Sequence, residues 1–326
     1  MTWRVLISAP YLLPVLGEFR SRLEAEGVEI VTPAVRERLN EVDLLPLVET
    51  IDGAICGDDQ FTKRVFNAAP RLKVISKWGT GINSIDTVAA AKAGVRVFNT
   101  PDAFTDPVAD TVLGYILAFA RRLPKMDHDI RQGLWEKLEA RALRGSTLGV
   151  IGVGNIGKAV VRRAQPFGMI VLGYDPVPVP SSFIEETGIK LVPLDSLLGK
   201  SDFVTLLCDL NASSFHMIGV NELQKMQPSA YIINTSRGPV IDEPALVEAL
   251  RECRIAGAAL DVFEVEPLPD DSPLRSLENC LLAPHNSNSD PDCRRKVHES
   301  TIENLLKGLR EADNEPLVKK PKARSG

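Results

Sequence analysis

At 326 residues, with 44% hydrophobic and 25% charged side chains, the chain has a globular composition and enough length for two cores. A net charge of −5 and a pI near 5.6 exclude the clustered Lys and Arg that a nucleic-acid partner calls for. The apolar runs are too short for a membrane span, and the N-terminal apolar patch, broken by Pro10, Pro14 and Glu18, reads as a strand and a helix start with no signal peptide.

In chain order, residues 4–8 predict a buried strand, 16–26 an amphipathic helix ended by Gly27, and 28–31 a second strand. The pattern repeats: helix 44–49, strand 53–56, helix 63–69, strand 74–76, helix 88–93, strand 95–99. Alternation of strand and helix implies a parallel sheet with right-handed crossovers, so the first hundred residues form a small doubly wound domain. Residues 108–122 form a long apolar helix with two readings, a linker packed on the core or a subunit interface.

Residues 147–175, TLGVIGVGNIGKAVVRRAQPFGMIVLGYD, are the centre of the second domain. They read as strand, glycine turn, helix, strand and acid. Gly152 permits the tight turn, Gly154 lets backbone N–H groups approach a pyrophosphate, and Gly157 allows close helix–strand packing. The helix N-terminus then faces the phosphates. Asp175, eighteen residues beyond Gly157, stands near the position of a carboxylate that accepts from the adenosine ribose hydroxyls and repels a 2′-phosphate. The cofactor is therefore expected to be NAD. Strands follow at 203–208, 231–235, 255–260 and 280–283, with a helix at 243–252 and a final helix at 291–310 that returns to the first domain. The basic tail ending KKPKARSG reads as solvated.

Parallel sheets bind ligands beyond the carboxyl ends of their strands. Three such ends carry Arg237, the acids 261–266 and His285, which together can hold an anionic substrate and move a proton. His128, His216 and His298 lie in helical or polar-turn contexts and read as surface or core. The cysteines Cys56, Cys208, Cys253, Cys280 and Cys293 lack paired spacing, which points to a reduced, cytoplasmic compartment, and no metal-ligand cluster is visible.

On the motifs KWGTGINSID (77–86), VFNTPDAFTDPVAD (97–110), GVGNIG (152–157), INTSRGPVIDEPAL (233–246), ALDVFEVEP (259–267) and APHNS (283–287), the chain resembles the D-isomer-specific 2-hydroxyacid dehydrogenases over nearly its whole length. The resemblance implies two Rossmann-like α/β domains with a cleft between them. A discontinuous substrate domain would take 1–100 and 287–326, and an NAD domain 101–286. It implies that Arg237 holds the substrate carboxylate and carbonyl, that His285 exchanges the proton, and that Glu266 supports His285. Backbone around Thr80 and Gly81 would bind the substrate carboxylate, with Lys77 nearby. Asn155 and Ile156 would face the pyrophosphate, Cys208 and Thr235 would line the cofactor, and Asp261 would hold its carboxamide.

The chain departs from the family pattern at Ser287 and Asp290, where a Gly and a Thr are usual, and at Asp209, where a proline is usual. Asp58 and Asp59 stand where phosphoglycerate-handling relatives carry arginines, so a phosphorylated substrate is expected to be poor. A homodimer through 108–122 is expected. The alternative function is an NAD(H)-sensing binding protein, like the corepressors of similar fold.

Overall fold

The computed structural model describes residues 2–314; the basic tail lies outside the described residues. The strands are β1 Trp3–Ile7, β2 Val28–Val31, β3 Gly53–Cys56, β4 Val74–Lys77, β5 Arg96–Phe98, β6 Thr147–Ile151, β7 Ile170–Tyr174, β8 Lys190–Leu191, β9 Phe203–Leu206, β10 Tyr231–Asn234, β11 Gly257–Leu260 and β12 Cys280–Leu282. The helices are α1 Leu16–Ala25, α2 Glu41–Val48, α3 Lys63–Ala68, α4 Thr87–Ala93, α5 Thr105–Ala120, α6 Leu123–Arg131, α7 Asn155–Ala164, α8 Ser181–Thr187, α9 Leu194–Lys200, α10 Val220–Lys225, α11 Glu243–Arg251 and α12 Pro291–Asn314. Two compact units result, Met1–Ala103 with Pro291–Gly326, and Phe104–Asp290.

The first unit holds a five-stranded sheet in the order β2-β1-β3-β4-β5, parallel throughout. Its central strand β3 is buried at every position, because helices cover both faces. The long helix α12 joins this unit through non-local contacts. Val297, Ile302, Leu305, Leu306 and Leu309 are buried on it, each stabilising by about 1.5–3 kcal/mol relative to exposure. Gly53 and Gly308 permit the close approach: a Cβ on Gly308 would stand 2.5 Å from Val74 and one on Gly53 3.0 Å from Leu305. Polar contacts fix the register. Ser76 Oγ donates to Thr301 O at 2.8 Å, and Trp3 Nε1 donates to Asp313 at 2.9 Å.

The second unit holds a seven-stranded parallel sheet in the order β12-β11-β10-β9-β6-β7-β8. Strand order reverses between β6 and β9, so the crevice at their carboxyl ends is the switch point where such sheets take ligands. Helix α5 starts three residues before the predicted 108 and stops at Ala120; Val108, Ala109, Val112, Leu113, Ile116 and Ala120 bury its inner face within its own unit. Its partner there is α7, tied by Arg163 to Asp106 and Asp110 at 2.6 Å each. Helices α6, α8, α9 and α10, six to nine residues each, are absent from the sequence reading. Helix α2 starts earlier than the predicted 44, because Asn40 and Asp43 form a capping box around its polar first turn.

Candidate active site

The glycine turn joins β6 to α7. Gly152 has φ 93°, and a Cβ there would lie 2.7 Å from Cys208 N, so the ends of β6 and β9 meet backbone to backbone. A Cβ on Gly157 would lie 2.1 Å from Gly152 O, which fixes the first turn of α7 against the strand end. On the other side of the turn a Cβ on Gly154 would meet no atom within 4 Å. That opening, in front of the first N–H groups of α7 at Asn155 and Ile156, fits a pyrophosphate. The Asp175 carboxylate is held beyond β7 by Val153 N and Val177 N, both at 2.7 Å, and each oxygen retains a lone pair for a ribose hydroxyl. Thr235 Oγ1 is buried with no hydrogen-bond partner among the described residues, as a group awaiting a ligand would be. Burial, then the nearby charges of Asp209 and Asp175, push the Cys208 thiol up to about 11, so it stays a neutral wall beside the turn. The donor set therefore fits a dinucleotide.

The acid–base residues come from the ends of β10, β11 and β12. After β10, Asn234 builds the turn that presents Arg237: its Oδ1 accepts from Ser236 N at 3.0 Å and its Nδ2 donates to Arg237 O at 3.0 Å. After β12, His285 has φ 49°, an uncommon conformation for a residue with a Cβ. Asp261 holds it there. Its carbonyl accepts from His285 N at 2.8 Å, and its buried carboxylate accepts from Asn286 N at 2.8 Å and Ser287 N at 2.9 Å. The Asp261 carboxylate, expected to hold the carboxamide, thus also fixes the turn that carries His285, and each of its oxygens retains a lone pair. Ser287 supplies here a buried backbone donor. Glu266 Oε1 accepts from Phe263 N at 3.0 Å, and its Oε2 stands 3.0 Å from His285 Nδ1. An ionised carboxylate only accepts, so Nδ1 carries the hydrogen of this pair.

In the first unit, Lys77 at the end of β4 is buried. Its Nζ lies 3.2 Å from Asp58 and donates to Trp78 O at 2.9 Å. Thr80 and Gly81 follow in a loop pinned by Thr100, whose Oγ1 accepts from Gly79 N at 3.2 Å, and by Thr80 Oγ1 donating to Thr100 O at 3.1 Å. The expected pair of anion-repelling acids needs correction. Asp59 is fully buried in the unit's core, accepting from Ser8 Oγ and from Leu39 N at 2.7 Å, while Asp58 is neutralised by Lys77. Sequence reasoning also misses a stack beside this loop, where Tyr11 lies 4.8 Å from Trp78 and Arg294 lies 4.9 Å over Tyr11. Trp78 Nε1 donates to His298 Nδ1 at 3.0 Å, which keeps His298 in the core.

Residues 113–287 match the family described as D-isomer specific 2-hydroxyacid dehydrogenase, NAD binding domain. The chain belongs to this family. It is 41% identical over 276 residues to a glyoxylate reductase of Korarchaeum cryptofilum, covering 83% of this chain and 80% of that one. It is 37% identical over 302 residues to a D-3-phosphoglycerate dehydrogenase of Methanocaldococcus jannaschii, covering 91% of this chain and 56% of that longer relative. Among solved structures, the D-lactate dehydrogenase of Aquifex aeolicus complexed with NAD and lactic acid superposes with a TM-score of 0.85 at 26% identity, covering 95% and 96% of the two chains. As a D-2-hydroxyacid dehydrogenase the chain is an NAD-dependent oxidoreductase that interconverts a D-2-hydroxy acid and a 2-oxo acid. No helix among its described residues is long and apolar enough to cross a membrane.

Proposed function

We propose that this dehydrogenase reduces a short, unphosphorylated 2-oxo acid of the glyoxylate and hydroxypyruvate kind, with Arg237, Glu266 and His285 as its catalytic residues. The observation that carries the assignment is the 3.0 Å contact of His285 Nδ1 with Glu266 Oε2, in which the remaining Glu266 oxygen is already committed to Phe263 N. The bound cofactor would supply the hydride as NADH in the reductive direction and would take it as NAD+ in the oxidative one. Arg237 binds the substrate carboxylate and carbonyl through its planar fork. His285 Nε2 gives its proton to the carbonyl oxygen as charge develops there, and Glu266 holds the ring in the donating orientation. In the oxidative direction the same nitrogen accepts the hydroxyl proton. The backbone N–H groups of Thr80 and Gly81 are assigned to the substrate carboxylate, with Lys77 behind them. Gly152, Gly154, Asn155, Ile156, Gly157, Asp175, Cys208, Thr235 and Asp261 are assigned to NAD. Because Asp58 neutralises Lys77, the loop brings no surplus charge from that lysine for a phosphate, which favours the unphosphorylated substrate.

The test is NADH oxidation against glyoxylate, hydroxypyruvate, pyruvate, bulkier 2-oxo acids and phosphohydroxypyruvate, run beside His285→Ala. Turnover of the small acids that this substitution abolishes is expected. Highest efficiency on phosphohydroxypyruvate overturns the substrate assignment, and tight NADH binding without turnover favours a binding protein.

A homodimer is also assigned, with the contact extending from the outer face of α5 into the segment after it. Leu123, Ile130, Leu134 and Trp135 are exposed there, Trp135 at 85%, an apolar surface that a second copy would cover. Five cysteines without a disulfide support a cytoplasmic location.

A further inference from the structure

Two residues before Glu266, Glu264 makes a reciprocal bridge to the first turn of α11. Its Oε1 accepts from Glu243 N at 3.1 Å, and its own N–H donates to Glu243 Oε2 at 3.1 Å. Glu243 N is one of the helix donors without an intrahelical partner, so a carboxylate there is favoured twice, by the hydrogen bond and by the helix dipole. The same Oε1 faces His216 Nε2 at 2.7 Å. His216 has φ 49° and is stacked on Phe215 with centroids 4.0 Å apart, so its ring presents one edge to Glu264. Behind the bridge there is no slack: a Cβ on Gly238 would stand 1.9 Å from Phe263 C and 2.4 Å from Glu264 N.

The consequence runs through one peptide. Phe263 N–H fixes the Glu266 rotamer, and the Phe263–Glu264 segment is itself fixed by the Glu243 bridge in front and by Gly238, the neighbour of Arg237, behind. We propose that Glu264, clamped by Glu243 and His216, is the positioning residue that holds Glu266 against His285 and keeps this pair in register with Arg237. The proposal rests on the acid–base role given to His285 above. Burial, and then the Glu264 charge, raise the Glu243 carboxyl against the hydrogen bond from Glu264 N–H, and the Cys280 thiol beside it, pushed up to about 12 by burial and then by that carboxylate, is neutral.

The experiment compares kcat, KM for NADH and the pH profile of kcat/KM in the wild type, Glu264→Ala, Glu264→Gln and His285→Ala. The assay uses the best 2-oxo acid of the panel, with sites counted by NADH fluorescence titration. Glu264→Ala is expected to lower kcat per site by about tenfold, a typical effect of losing a supporting partner, with KM for NADH unchanged. A loosened Glu266 stabilises the imidazolium less, so the alkaline limb of the reductive profile moves to lower pH. Glu264→Gln keeps the acceptor for Glu243 N and restores most of both. A lower kcat with an unmoved profile, or an unchanged kcat, overturns the proposal, because a merely structural loss changes the number of sites and not their titration. If Glu264→Ala yields no folded protein, His216→Ala replaces it; a lowered alkaline limb there supports the proposal and an unmoved one overturns it. Activity surviving in His285→Ala overturns the acid–base assignment itself, whereas a dead His285→Ala beside an unmoved Glu264→Ala profile overturns only the clamp.

Discussion

Replacing Asp59 by Asn isolates one buried charge. Burial pushes this carboxyl up to about 6 from 3.8, against the hydrogen bonds from Ser8 and Leu39 N and the charge of Lys77, which favour ionisation, while Asp58 adds to the rise. Because the folded value lies above the unfolded one, the stabilisation is complete below pH 3.8 and is lost as pH rises through about 6. At about 1.4 kcal/mol per pH unit, keeping Asp59 ionised costs the first unit roughly 3 kcal/mol at pH 8. Asparagine avoids that cost with the same shape: Oδ1 accepts from Leu39 N, and Nδ2 donates to Ser8 Oγ, whose hydroxyl already lies 3.3 Å from Ile55 O. The variant should therefore be more stable than wild type by up to about 3 kcal/mol at pH 8, roughly 10 °C in Tm, and nearly equal to it at pH 4. Urea unfolding followed by tryptophan fluorescence reports on this unit through Trp3 and buried Trp78. A wild-type-minus-variant difference that is the same at pH 4 and pH 8, or a variant less stable at pH 8, refutes the reasoning.

Gly157→Ala puts a Cβ 2.1 Å from Gly152 O, so the turn must open; NADH affinity should fall about tenfold or more by fluorescence titration, and unchanged affinity contradicts the assigned phosphate site. Gly238→Ala forces the Phe263 backbone away from Arg237, and steady-state kinetics should show kcat reduced by about a hundredfold with NADH binding retained; near-normal kcat would mean the two strand ends need not be in register. Trp135→Glu places a charge on the exposed apolar segment and should convert a dimeric mass in light scattering to a monomeric one; a wild-type mass that is already monomeric removes the dimer assignment.

The elements most legible in the sequence are those whose signal is local. Gly152, Gly154 and Gly157 declare a strand–helix turn because the backbone conformation and clearance they allow are needed within a few residues, and the buried strands β3, β9 and β11 show as short apolar runs between turns. Arg237, the acids 261–266 and His285 follow the ends of β10, β11 and β12, histidine being scarce at four in the chain, and sheet topology sets those strands side by side. The two-residue strand β8 is too short to show an alternation.

What only the tertiary structure decided is the partner of each charge. Asp58 and Asp59 are adjacent in the chain and look alike, yet one pairs with Lys77 and the other enters the core beside Ser8, fifty-one residues away. The Asp261 carboxylate accepts from the turn that carries His285, twenty-five residues on; Glu264, two residues before Glu266 in the same motif, belongs to α11 and His216. Turn chemistry and periodicity act over one to seven residues and are written in the sequence, whereas the energy of a buried carboxylate depends on donors brought from distant segments, and those exist only once the sheets have formed.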